Sequence, residues 1–148
     1  MLREPHLWME RIKSIQRDHT TTRLALARLT NDALRDSSVL VGDLKVQDIA
    51  RASERLEGTY LIRLFAEFEM GLRIYWATIR ETEPPTQHLL DSIGARRRIP
   101  VQQLADAQAV RDYRNSLVHE RDEKIAPISI ADASQALCRF LAFLPLNW

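Results

Sequence analysis

The chain has 148 residues, of which 45% are hydrophobic and 28% charged, the usage of a folded domain with one core rather than of a disordered or fibrous chain. Twenty-one basic residues face 20 acidic ones, a net charge of +1, which excludes a uniformly basic nucleic-acid binder and makes any polyanion site local. Eighteen of the cations are Arg and only 3 are Lys, and the planar Arg fork is the side chain suited to bidentate phosphate contacts.

In chain order, charges interrupt every apolar pair of the N-terminal segment, so no signal peptide is expected there. Pro5 suits an early helical position and opens a helix to about Leu34, with Leu7, Met9, Ile12, Ile15, Leu24, Leu26 and Leu29 as apolar members. Ser37 and Ser38 break it. From Val46 to Ile79 the apolar residues keep helical spacing throughout, which predicts one long helix. Gly58 marks a place for a kink, at a cost of about 1 kcal/mol relative to Ala. Pro84 and Pro85 stop this helix, and Gln87 to Ile93 predict a short one closed by Gly94. The next helix runs from near Pro100 to about Arg121, carrying Val101, Leu104, Val110, Leu117 and Val118.

Ser129 and Asp132 form a weak capping signal for a last helix that passes Phe140 to Leu144 and ends at Pro145. Its Cys138 is the single cysteine, which excludes an internal disulfide and a Cys-rich zinc site and points to a cytoplasmic setting. Trp8, Trp76 and Trp148 are expected to fill core or interface space. No stretch is apolar for long enough to span a membrane. The expected architecture is all-α, a mostly antiparallel helical bundle of four long helices plus one short helix, in a single domain over residues 1–148.

The sequence lacks a Gly-rich phosphate loop, a Gly-x-Ser-x-Gly elbow and a His-Glu-x-x-His pair, and its four histidines are far apart, so neither a metal nor a cofactor is expected. The chemistry concentrates between Arg111 and Arg121. On a helix Arg111, Asn115 and His119 share one face, rising about 6 Å per step. Arg114 lies one residue off that line, within reach by its length, while Val110 and Leu117 mark an apolar opposite side. An imidazole that titrates near neutrality, beside fixed guanidinium groups, is a minimal set for acid/base work on a phosphodiester. Arg96, Arg97 and Arg98 form a second cationic run able to guide RNA, and Tyr113 could stack on a base.

The run Arg114-Asn115-x-x-x-His119 resembles the Arg-x4-6-His signature, commonly with Asn after the Arg, of the HEPN superfamily of small helical proteins. In this composition about 0.5 Arg-x4-His pairs arise by chance, and requiring the Asn lowers this to about 0.01. The segment Arg63 to Arg73 is similar to the apolar helix with an embedded acidic residue, here Glu67 or Glu69, that packs beside the motif in many members. The resemblance implies a metal-independent endoribonuclease, often a toxin or defence effector, that works as a homodimer with two motifs in one cleft. It implies His119 as general acid or base, Arg114 as the stabiliser of developing charge and Asn115 as an orienting group. Arg111, Arg96, Arg97 and Arg98 would contact the RNA, with Glu69 and Tyr113 in support. An antitoxin protein is the further partner implied. Members silenced by a nucleotidyltransferase antitoxin carry Tyr two residues after the His, where this chain has Arg121. The alternative is a catalytically inactive module of the same fold that binds RNA or a nucleotide, or serves dimerisation.

Overall fold

Five α-helices and one 3-10 turn make up the regular structure of the computed structural model, which describes residues 3–119 and 125–148. Helix α1 spans Pro5–Arg35 and α2 Val46–Ala77, linked through the 3-10 turn Ser37–Val39. Helix α3 spans Thr86–Arg96, α4 Val101–His119 and α5 Ile130–Leu141. Among the described residues there is no strand, and no helix is long and apolar enough to cross a membrane. The fold is therefore the expected all-α bundle.

Most neighbouring helices run antiparallel, whereas α2 and α5 run parallel, with Glu57 beside Ile130 and Phe68 beside Phe140. Along α1 and α2, Arg11 pairs with Glu67, Asp18 with Arg63, and Thr22 bonds Tyr60, so one helix descends as the other rises. The same reversal relates α2 to α4, where Phe65 meets Arg114 and Gly58 meets Leu117. It also relates α3 to α4 through Gln87 with Gln108 and Gly94 with Leu104. The core joins Trp8, Ile12 and Ile15 of α1 to Leu61, Leu64, Phe65, Phe68 and Leu72 of α2, closed by Phe140 and Leu137 of α5. Phe68 stands edge-on to Phe140 with ring centroids 5.5 Å apart, a favoured aromatic arrangement. Trp8 is buried in this core, and Trp148 packs on Tyr75.

Some local expectations need correction. Gly94 does not close α3: it lies inside the helix and is buried, because a Cβ there would sit 3.2 Å from Leu104 of α4. The left-handed backbone after α3 belongs instead to Arg98, at φ 51°. The one long helix expected from Val46 onward is present as α2, with Gly58 inside it facing Leu117. Lastly, Leu24, Leu29, Val101 and Val118, expected among the apolar members of their helices, are exposed.

The exposure of Leu24 reflects the different lengths of the helices. With 31 and 32 residues, α1 and α2 reach about 45 Å, whereas α3, α4 and α5 have 11, 19 and 12 residues. The far end of the α1–α2 pair consequently projects as a two-helix arm, and between His19 and Leu61 only Ala33 and Ile49 are buried. The C-terminal end of α4 reaches the base of this arm, where Leu117 packs on Gly58.

Candidate functional site

Helix α4 turns one stripe inward. Ala107 and Val110 are buried on it, and Leu117 continues it against the core. Arg114 falls on this same stripe by its three- and four-residue spacing, rather than on the outer polar line. Its guanidinium carbon lies 5.8 Å from the centroid of the buried Phe65 ring, a cation–π contact to α2. One Arg114 Nη donates to Asn115 Oδ1 at 3.0 Å, so the side chain does swing toward the outer line, as its length allows.

One turn beyond Phe65, Glu69 gathers the neighbouring helices. Its Oε1 accepts from the Thr86 hydroxyl at 2.6 Å, from Arg73 Nη2 at 2.7 Å and from Arg73 Nε at 3.1 Å. Arg73 also donates to the Pro84 carbonyl at 3.1 Å, which fixes the chain entering α3. Burial pushes the Glu69 carboxyl up, but the hydrogen bonds from Thr86 and Arg73 and the charges of Arg73 and Arg114 outweigh it, leaving the group below its ordinary value. Glu69 is therefore a carboxylate at neutral pH, acting as an anion that holds Arg73 and faces Arg114. It has no proton to donate.

Arg111 is largely enclosed, with its side chain 14% exposed, and is paired with its neighbour Asp112. The Nε atoms of Arg111 and Arg114 are both buried without a hydrogen-bond partner among the described residues. Two half-buried or enclosed guanidinium groups thus lie on the same helix, one paired with Asp112 and the other exerting its charge on Glu69.

His119 is exposed at the end of α4. Five helical residues place it about 7 Å further along the axis than Arg114 and about 140° around it. One chain therefore brings Arg114, Asn115 and Glu69 together but turns His119 to the outside. Arg121 lies outside the described residues.

Two predicted groups stand apart. Tyr113 sits on the flank of α4 near Glu57, whose carboxylate accepts from the first amide of α5 at 3.1 Å. Burial, and then the charge of Glu57, push the Tyr113 phenol up, marking a junction between helices rather than part of the Arg114 cluster. Arg96, Arg97 and Arg98 are exposed just before the opposite end of α4, about 20 Å from Arg114 along the helix. Arg97 is anchored to the Phe143 carbonyl at 2.8 Å.

Sequence reasoning missed Thr86 and Phe65. The signal for Thr86 was its place as first residue of α3, just after two prolines; nothing local marked Phe65 as the ring under Arg114. It also missed an open groove of about 590 Å³ that begins at Glu69 and Arg73 and runs along α2 over Ala66, Met70 and Ile74 toward Arg3. Among the described residues no three His, Cys, Asp or Glu side chains come together as a metal site. No family model matches the chain, and comparison with curated proteins and with solved structures finds no match.

Proposed function

We propose that the protein is a metal-independent endoribonuclease of HEPN type, acting as a cytoplasmic homodimer through Arg114, Asn115 and His119. The observation that carries the reading is the Arg114–Asn115 pair, hydrogen-bonded to each other, with the Arg114 guanidinium over the Phe65 ring. An arginine positioned by a ring and a neighbouring amide presents its remaining donors in fixed positions, and fixed donors are what stabilise charge developing on a phosphorane. In this mechanism the ribose 2′-oxygen attacks phosphorus as its proton passes to one imidazole. The P–O5′ bond then breaks and the leaving oxygen takes a proton from a second donor. The products are a 2′,3′-cyclic phosphate and a 5′-hydroxyl. Arg114 and Asn115 bind the non-bridging oxygens, with Arg111 beside them, and His119 moves the proton.

A single chain offers one motif imidazole, so the partner's His119 supplies the second proton-transfer group. Arg96, Arg97 and Arg98 contact RNA away from the cut. A toxin or defence role, with an antitoxin protein as partner, belongs to the same reading. Incubation of the purified protein with total RNA in EDTA tests it, and cleavage that appears only with added Mg²⁺ or Mn²⁺ overturns it.

The separation of Arg114 and His119 around α4 favours a second reading, an inactive module that binds RNA or a nucleotide through the Arg face. Binding without cleavage in the same assay selects it.

A further inference from the structure

The groove that begins at Glu69 and Arg73 joins the Arg114 cluster to a strip of α2 that the proposed chemistry leaves unused. Ala66, Met70, Ile74 and Ala77 follow one another at three- and four-residue spacing, so they share one face of the helix and form the floor of the groove. Two of them are alanines, which leaves room above the helix. Met70 is 51% exposed between them. A thioether is polarisable and adapts its shape, so an exposed Met on an open apolar floor is a contact surface for a flat ring. At about 590 Å³ the groove has the size of a small-ligand site.

The polar end of the groove is one-sided. Glu69 Oε1 already accepts from Thr86 and from two nitrogens of Arg73, whereas Oε2 accepts no hydrogen bond among the described residues. Arg73 spends Nε on Glu69, Nη2 on Glu69 and Thr86, and Nη1 on the Pro84 carbonyl. What this end offers is therefore an ionised acceptor, and a bound ring has to bring the donors. Among the RNA bases guanine alone carries two adjacent donors, N1–H and N2–H, on its Watson–Crick edge. Adenine and cytosine set a bare ring nitrogen beside their amino group, and uracil flanks its N3–H with two carbonyls. Each of those three aims a lone pair at the carboxylate, which repels it.

We propose that this groove is a base pocket for guanine, in which Glu69 Oε2 accepts from N1–H and N2–H and Met70 lies against the ring. The inference deepens the ribonuclease reading and rests on its assignment of Arg114 to the phosphate. Arg114 lies over Phe65, one turn or about 6 Å along α2 from Glu69, within the span of one nucleotide. The phosphate it holds is then the 3′-phosphate of the bound guanosine, and the cut falls after that nucleotide.

Titration of the purified protein with the four nucleoside 3′-monophosphates, followed by calorimetry, tests the pocket without any cleavage. Guanosine 3′-monophosphate should bind about tenfold or more tightly than the adenosine, cytidine and uridine compounds. Glu69→Gln should abolish that preference, because an amide presents a donor as well as an acceptor. Met70→Glu, an exposed change on the groove floor, should weaken guanosine 3′-monophosphate by about tenfold with helix content unchanged, and serves if Glu69→Gln folds poorly. Val101→Glu, an exposed change on α4, should leave binding in place. Arg114→Ala should weaken all four compounds alike, as loss of a phosphate contact does. Equal affinity for the four, no binding of any, or a guanine preference that survives both Glu69→Gln and Met70→Glu would overturn the inference. RNA cleavage without preference for guanosine would also refute the pocket while leaving the ribonuclease reading standing. Guanine-selective binding without cleavage would refute that reading and support the pocket.

Discussion

Arg114 and Phe65 form a contact between α4 and the core, with the guanidinium carbon 5.8 Å from the ring centroid. A cation in that place is half-buried and shared between packing and chemistry. Arg114→Ala should therefore lower stability by about 1 kcal/mol through the lost cation–π contact, besides removing most RNA cleavage. Arg114→Lys should recover much of the stability and little of the activity, since an ammonium replaces a planar fork. Thermal melts beside cleavage rates check this, and equal activity of the Lys variant and the wild type would remove Arg114 from the mechanism.

The Glu69 carboxylate predicts an acid-sensitive step in stability. Its folded value lies below the ordinary 4.5, so its contribution is fully present above that pH and is lost as pH falls through the folded value. Glu69→Gln should cost about 1–2 kcal/mol at pH 7, because the Arg73 and Thr86 donors lose a charged acceptor. The penalty should shrink on acidification below about pH 4.5, as the wild-type carboxyl protonates. Denaturant melts of both proteins between pH 3 and 7 measure the difference, and a pH-independent gap would contradict the assignment.

Two glycines of α2 should respond in opposite directions. A Cβ on Gly71 would stand 2.9 Å from the Trp8 ring, so Gly71→Ala should destabilise by about 1–3 kcal/mol through overpacking between α1 and α2. At Gly58 the nearest atom is a Leu117 methyl at 3.4 Å, an ordinary contact, so Gly58→Ala should gain about 0.5–1 kcal/mol from helix propensity. Melting temperatures of the two variants decide both.

The helices were legible because their boundaries are chemical. Pro5, the pair Pro84 and Pro85, and the Ser129 side chain that accepts from the Asp132 amide at 3.1 Å each act locally. What was not legible depends on which helices extend past their neighbours. Leu24 has the same spacing as a core residue, yet nothing packs over it, because α4 and α5 are shorter than α1. Gly94 carried the usual mark of a helix end, but its lack of a side chain is used for the approach of Leu104. The Arg114–Asn115–His119 run could be read from spacing. The inward turn of Arg114 could not, since a cation on the core stripe needs a partner such as the Phe65 ring, which local spacing does not reveal.

The central claim is tested most directly by cleavage of RNA in EDTA by wild type and His119→Ala side by side, with the new ends analysed. His119 is exposed, so its replacement should leave the melting temperature unchanged while slowing cleavage by about 10² to 10⁴. The account predicts 2′,3′-cyclic phosphate and 5′-hydroxyl ends from the wild type. Wild-type cleavage rates in the His119→Ala protein, or ends bearing a 5′-phosphate, would contradict it.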